Sequence, residues 1–263
     1  MNKLVFLLFI SSFSIVFGQN QMRAVVKIDS IRFDGDEFIG YDSFGFYYTL
    51  KNDVFSKINQ RETLEYKNIS LGKITKVDLQ NPLKIVLFYE NFNTVVTLDN
   101  QLNETQKINF SENTIPIVAV RVGIASQNQL WIYNSMNQQL GLYDYLNQNY
   151  KTISVPFSQS IQYYTSDFNQ FHWIDSKNNW YQCDIFGKIT SKGTIPDFDS
   201  IVIINDNQYL YSKNGILIVV DLQKKQKTEI EISEKSFKKF YYKDQILSIF
   251  TTTGITNYKI TIP

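Results

Sequence analysis

Lys84-Ile85-Val86-Leu87-Phe88-Tyr89, then Glu90-Asn91-Phe92-Asn93, then Thr94-Val95-Val96-Thr97-Leu98 is the most legible stretch of the chain. Two runs rich in β-branched, aliphatic and aromatic side chains flank a short polar break, the pattern of a tight turn between two antiparallel strands. Alternation places Leu83, Ile85, Leu87 and Tyr89 on one side of the first strand and Val86 and Phe88 on the other. Both sides are apolar, so the strand is expected to pack against a neighbouring sheet on each face.

The same order recurs on either side. Phe46–Leu50, the break Lys51-Asn52-Asp53 and Val54–Ile58 come before it. After it come Leu130–Tyr133, Phe171–Ile174, Tyr209–Tyr211 and Ile246–Phe250, each followed by a short polar break and another strand-like run. The second strand of each unit starts near 46, 86, 130, 171, 209 and 246, an interval of about 40 residues, which is the size of one four-stranded propeller blade. Residues 19–263 hold six such units, so the reading is an all-β chain folded as a single six-bladed β-propeller-like domain. Arg23-Ala24-Val25-Val26-Lys27-Ile28 reads as an N-terminal strand that completes the last blade and covers its edge. Five or seven blades remain open because the outer strands are poorly marked, and an open stack of antiparallel sheets is the competing architecture.

Composition agrees with a packed fold. The 263 residues are 43% hydrophobic, 15% aromatic and 19% charged, which excludes a disordered or collagen-like chain. Lys and Arg number 26 against 25 Asp and Glu. Without residues 1–18, whose only charge is Lys3, the balance is zero, unlike the basic footprint of a nucleic-acid binder. One cysteine and one histidine exclude an intrachain disulfide and a Cys/His zinc site.

Residues 1–18 read as a cleavable signal peptide. Lys3 is followed by an apolar run to Phe17, and Val16 and Gly18 are small enough for a cut before Gln19. No later segment reads as a membrane helix, so no direct transmembrane anchor is expected. In Trp180–Phe186 alternation puts Tyr181, Cys183 and Ile185 on an inward face, which makes Cys183 a core thiol rather than a reactive one.

Chemical signals are weak. His172, between Phe171 and Trp173, reads as a packed structural histidine. Asp34-Gly35-Asp36-Glu37 lacks the spacing of a calcium loop, and Asp197-Phe198-Asp199 sits in a loop-like setting. No catalytic residue, cofactor site or metal site is assigned. Lys224-Lys225-Gln226-Lys227 reads as a solvated outer turn, while Lys235, Lys238, Lys239 and Lys243 with Phe237, Phe240, Tyr241 and Tyr242 form a basic region with contact surface for a charged protein or lipopolysaccharide. Breaks between the same two strands of successive units should gather at one end of a ring. That makes Asn91, Phe92, Asn134, Met136, Lys177, Asn178, Lys213 and Asn214 the candidate partner-binding residues.

The leader and the run Asn81–Asn100 resemble exported β-propeller-like proteins of Bacteroidetes, and within that group the plug components of the giant outer-membrane channel of type 9 protein secretion. The resemblance implies a non-catalytic periplasmic interaction protein, peripherally associated with the outer membrane. Its partner would be an outer-membrane β-barrel export channel, whose periplasmic opening it occludes. The other readings are an extracytoplasmic glycan hydrolase or lyase, and an envelope assembly scaffold.

Overall fold

In the computed structural model, residues 21–263 are described apart from Asp34, Lys235 and Pro263. The leader expected over residues 1–18 lies outside the described residues. Two N-terminal strands, β1 (Gln21–Ala24) and β2 (Val26–Arg32), precede the repeating part. Blade 1 then comprises β3 (Glu37–Tyr41), β4 (Tyr47–Lys51), β5 (Val54–Ile58) and β6 (Thr63–Tyr66). Blade 2 is β7 (Lys76–Asp78), β8 (Ile85–Tyr89), β9 (Thr94–Leu98) and β10 (Glu104–Asn109). Blade 3 is β11 (Ala119–Ile124), β12 (Gln129–Asn134), β13 (Gln139–Asp144) and β14 (Asn149–Thr152). Blade 4 is β15 (Ile161–Ser166), β16 (Gln170–Asp175), β17 (Asn179–Asp184) and β18 (Ile189–Thr194). Blade 5 is β19 (Ser200–Asn205), β20 (Gln208–Lys213), β21 (Ile216–Asp221) and β22 (Gln226–Glu231). Blade 6 has β23 (Lys239–Lys243), β24 (Ile246–Phe250) and β25 (Gly254–Lys259), and β2 is its fourth strand. The chain is a six-bladed β-propeller.

The first strands of blades 2 and 3, 3 and 4, 5 and 6, and 6 and 1 touch one another, so each sheet runs outward from the axis in sequence order. Tight hairpins make this possible. Asn52-Asp53 and Asn214-Gly215 each place two consecutive residues at positive φ, the backbone that two-residue turns between twisted strands require.

Among the described residues the buried apolar side chains form one cluster at each of the six junctions between blades. Ile85, Leu87 and Tyr89 enter the junction of blades 1 and 2, while Val86 and Phe88 enter that of blades 2 and 3. All five residues of β8 are buried, as expected of a strand packed on both faces. Leu83 departs from the expected alternation. It lies ahead of β8 in the turn and is 61% exposed.

The N-terminal segment closes the ring, but not as one strand. Its expected span Arg23–Ile28 is divided at Val25. β1 pairs in parallel with β22 of blade 5, and β2 pairs antiparallel with β25 of blade 6. Val25 packs half-buried against the cluster between those two blades, where the chain steps from one sheet to the next. The segment is therefore strapped to two blades.

Cys183 is the core thiol expected, while two further expectations about its surroundings and about blade 6 change. Cys183 is fully buried, and burial pushes its thiol up to about 12. The opposite face of the same strand is not free, because Trp180 is fully buried against blade 5. The region around Phe240–Tyr242, expected as contact surface, is the innermost strand of blade 6, with Phe240 buried.

At Gly123 the inner strands of blades 2, 3 and 4 leave no room for a side chain. A Cβ there would collide with the Ser166 side chain of blade 4 and stand 3.4 Å from Asp78 Oδ2 of blade 2. Gly123→Ala is expected to destabilise the protein by about 1–3 kcal/mol through overpacking, and Ser166→Gly in the same chain should restore most of the loss. Denaturant titration of the single and double variants measures both effects.

Candidate interaction face

Because strands run outward in order and alternate in direction, the second-to-third-strand turns of all six blades share one end of the ring with the links between blades. Hydrogen bonds join the two sets. Ser135 N donates to Val118 O at 2.9 Å, Ser176 N to Ser160 O at 2.9 Å and Asn214 N to Asp199 Oδ2 at 2.7 Å. At blade 2, Asn93 takes a left-handed backbone, donates from Nδ2 to Ile117 O at 2.6 Å and accepts from Ala119 N at 2.9 Å. This end is consequently a braced surface rather than a set of separate hairpin tips.

The eight sequence-derived candidates all lie at this end, in four blades, with unequal availability. Asn91 and Phe92 are exposed in the one-turn 3-10 segment Glu90–Phe92, and Met136 is exposed in the next blade. Lys177 is exposed and Asn178 half-buried in blade 4, and Asn214 is exposed in blade 5. Lys213 is half-buried with its ammonium held at 2.6 Å from Asp197 and 3.3 Å from Asp199. That ammonium draws the Asp197 carboxyl below its ordinary range and ties up the acidic pair. Asn134 is only 2% exposed. Its Oδ1 accepts from Val118 N and Met136 N, and its Nδ2 donates to Pro116 O, so it holds the turn and presents no surface to a partner.

Sequence reasoning missed the links. Ile69, Ile115, Val118 and Val155 are exposed there, at 85%, 50%, 43% and 68%, and join Phe92 at 50% and Met136 at 63%. These six form an apolar arc over blades 2 and 3. Val118 and Met136 are tied together, because the Asn134 side-chain carbonyl accepts from both backbone amides. Ile115 and Val155 each precede a proline in a link outside any strand, which is the one sequence signal that marks them.

The axis carries a second group of side chains. Lys76 at the start of β7 reaches over the ring of Tyr164 in β15, with Nζ 4.8 Å from the ring centre. Arg121 of β11 approaches the same ring, with its guanidinium carbon at 5.6 Å. The Tyr164 hydroxyl donates to Val122 O at 3.1 Å and receives Val122 N at 3.4 Å. Asp78 accepts from Gln80 N and Ile124 N, each at 2.8 Å. Burial pushes the Lys76 ammonium below and the Asp78 carboxyl above their ordinary ranges, and Tyr164 is raised for the same reason.

His172 is buried in β16, the strand paired with β15, where it lies opposite Thr165. Burial lowers its pKa, its Nε2 is 3.1 Å from Gln170 Oε1, and it stands 3.9 Å from Asp206. Of the first acidic group, Asp36 accepts the Asn52 amide at 2.8 Å and Glu37 pairs with Lys239 at 2.7 Å. Among the described residues no cluster of three or more metal-ligating side chains occurs.

No protein-family model matches the sequence, and no curated protein matches it by sequence. Solved structures do match in shape. Virginiamycin B lyase from Staphylococcus aureus, in a catalytically inactive H270A form with quinupristin, superposes with a TM-score of 0.55 at 12% identity, over 89% of this chain and 88% of that one. The β-propeller domain of Swd1 from Myceliophteria thermophila gives 0.58 at 10% identity, over 90% of this chain and 100% of that one. PorZ, a surface component of the type IX secretion system of Porphyromonas gingivalis, gives 0.51 at 11% identity. That match covers 92% of this chain and 33% of PorZ, so the chain spans about a third of that protein's length. At these identities the likeness shows the propeller fold alone. Among the described residues no helix is long and apolar enough to cross a membrane.

Proposed function

We propose that the protein is a non-catalytic interaction module of the cell envelope, periplasmic and peripherally attached to the outer membrane. It seats its link-bearing face on the periplasmic opening of an outer-membrane β-barrel export channel and occludes it. The observation that carries this reading is the apolar arc of Ile69, Phe92, Ile115, Val118, Met136 and Val155 on a braced surface. Exposed apolar side chains gathered on one face mark association sites, and aromatic and Met anchors concentrate binding energy. The Bacteroidetes resemblance of residues 81–100 and the shared fold with PorZ point the reading toward type 9 secretion.

The lyase reading draws on the shared fold with virginiamycin B lyase, in which replacing a histidine abolishes catalysis. Here the sole histidine is buried between blades and hydrogen-bonded, which favours binding over turnover.

The test is affinity purification from envelope membranes extracted under conditions that preserve channel complexes. A β-barrel export channel should co-purify with the wild type, and Phe92→Asp with Met136→Asp should reduce its recovery at least tenfold, because each change puts a charge into the contact at about 2 kcal/mol or more. The melting temperature of this double variant should stay unchanged, since both side chains face solvent. Recovery of the wild type as a free monomer would overturn the proposal.

A further inference from the structure

Lys76 and Arg121 pose a problem the fold does not itself solve. Both are half-buried at the axis, both lie against one tyrosine ring, and among the described residues neither has a carboxylate within ion-pairing distance. Two of the nearby acids are occupied, and a third, Glu90, makes no ion pair among the described residues. Glu37 is paired with Lys239 at 2.7 Å, and each oxygen of Asp78 accepts a backbone amide at 2.8 Å. Arg121 spends one N–H on Val120 O at 2.6 Å and keeps the rest of its donor fork. Two like charges drawn out of bulk water repel each other, and protein interiors normally compensate such groups with an opposite charge. A planar guanidinium beside a compact ammonium is also the donor set that fits an oxyanion, the first as a two-pronged donor and the second as a point charge.

We infer that the axis of the propeller binds an oxyanion, a carboxylate or phosphate group, between Lys76 and Arg121 beside Tyr164. Lys76 opens β7 and Arg121 is the third residue of β11, so the site lies nearer the face that carries the links between blades, and the anion enters from that side. The inference goes beyond the docking role and stands without it, because a free anion suffices to test it.

The experiment titrates the full mature chain with inorganic phosphate and, separately, with acetate, at constant ionic strength set by chloride. Side-chain NMR signals of Arg121 and the ring signals of Tyr164 report binding. The wild type should give a saturable shift, and Lys76→Met and Arg121→Gln should each weaken the affinity at least tenfold. Preference for phosphate or for acetate then tells a phosphate ligand from a carboxylate one. No saturable response to either anion, or equal responses in the variants, overturns the inference. A second measurement separates a ligand site from a packing role. In anion-free buffer Lys76→Met should melt no lower than the wild type, because it removes a half-buried cation that has no ion-pair partner, and a melting point several degrees lower would count against the site. If either variant fails to fold, the wild-type titration still decides.

Discussion

Replacing Trp180 with alanine is expected to lower the melting temperature by about 10 °C. Trp180 lies in β17 with no exposed surface, in the cluster that joins blades 4 and 5. It meets His172 with ring centres 6.0 Å apart and Tyr209 edge-on at 5.9 Å. Truncating a buried tryptophan costs about 3–5 kcal/mol from lost transfer energy and the cavity left behind. For a chain of this length each kcal/mol is worth roughly 2–4 °C. Trp180→Phe should cost much less. The indole Nε1 has no hydrogen-bond partner among the described residues, so phenylalanine leaves no new unsatisfied group. The comparison with Trp131 sharpens the point, since its Nε1 donates to Asp167 O at 2.8 Å and Trp131→Phe forfeits that bond. Thermal unfolding of the three variants measures the series. A Trp180→Ala protein melting within about 2 °C of the wild type would mean that blades 4 and 5 are not packed through this side chain.

Asn257→Ala should open the ring at its weakest junction. The cluster between blades 6 and 1 is small, with Phe38, Phe250 and Ile255 as its buried members. Polar and aromatic contacts supplement it. Phe33 meets Phe250 edge-on at 4.9 Å, and Lys239 crosses to Glu37. Asn257 of β25 is the centre of this junction. Its Nδ2 donates to Asp29 Oδ1 of the N-terminal β2 and to Tyr41 of blade 1, both at 2.7 Å, and its Oδ1 accepts from Ser248 Oγ at 2.7 Å. One amide thus ties the closing strand, the last blade and the first blade together. Alanine leaves the fully buried Ser248 hydroxyl without its acceptor and strips a donor from Asp29 and Tyr41. An orphaned buried group costs about 1–3 kcal/mol, so a total near 3 kcal/mol is expected. Amide hydrogen exchange should rise in β2 and β25 before it rises in blades 3 and 4, because local opening begins where the stabilising contacts are fewest. Uniform exchange across the six blades would show that closure does not depend on this residue.

The regions the sequence made legible are those whose environment is simplest. Second strands expected near 46, 86, 130, 171, 209 and 246 begin at Tyr47, Ile85, Gln129, Gln170, Gln208 and Ile246. These strands and the ones after them are covered on both faces by neighbouring blades, so apolar side chains dominate them, most completely in β8 and β21. The outermost strands are half solvated, as in Ile189–Thr194, where exposed and half-buried positions mix without a clear period. The innermost strands carry charge toward the axis, as at Lys76, Asp78 and Arg121. Neither kind resembles a strand read for apolar alternation. The site divides in the same way. Polar breaks marked the turns correctly, and ring topology brought them to one end, but exposure depended on neighbours. Asn134 and Met136 sit two residues apart in one turn, and only Met136 is free for a partner.

What the order of residues determined by itself was local: strand propensity, turn chemistry and a repeat of about 40 residues, each set by contacts between near neighbours. Only the closed ring could decide that the N-terminal segment divides between two blades, that the links of blades 2 and 3 expose an apolar arc, and that Lys76 and Arg121 meet at Tyr164. These groups come from distant parts of the chain. Their distances follow from how six twisted sheets pack around one axis, and no local pattern encodes that packing.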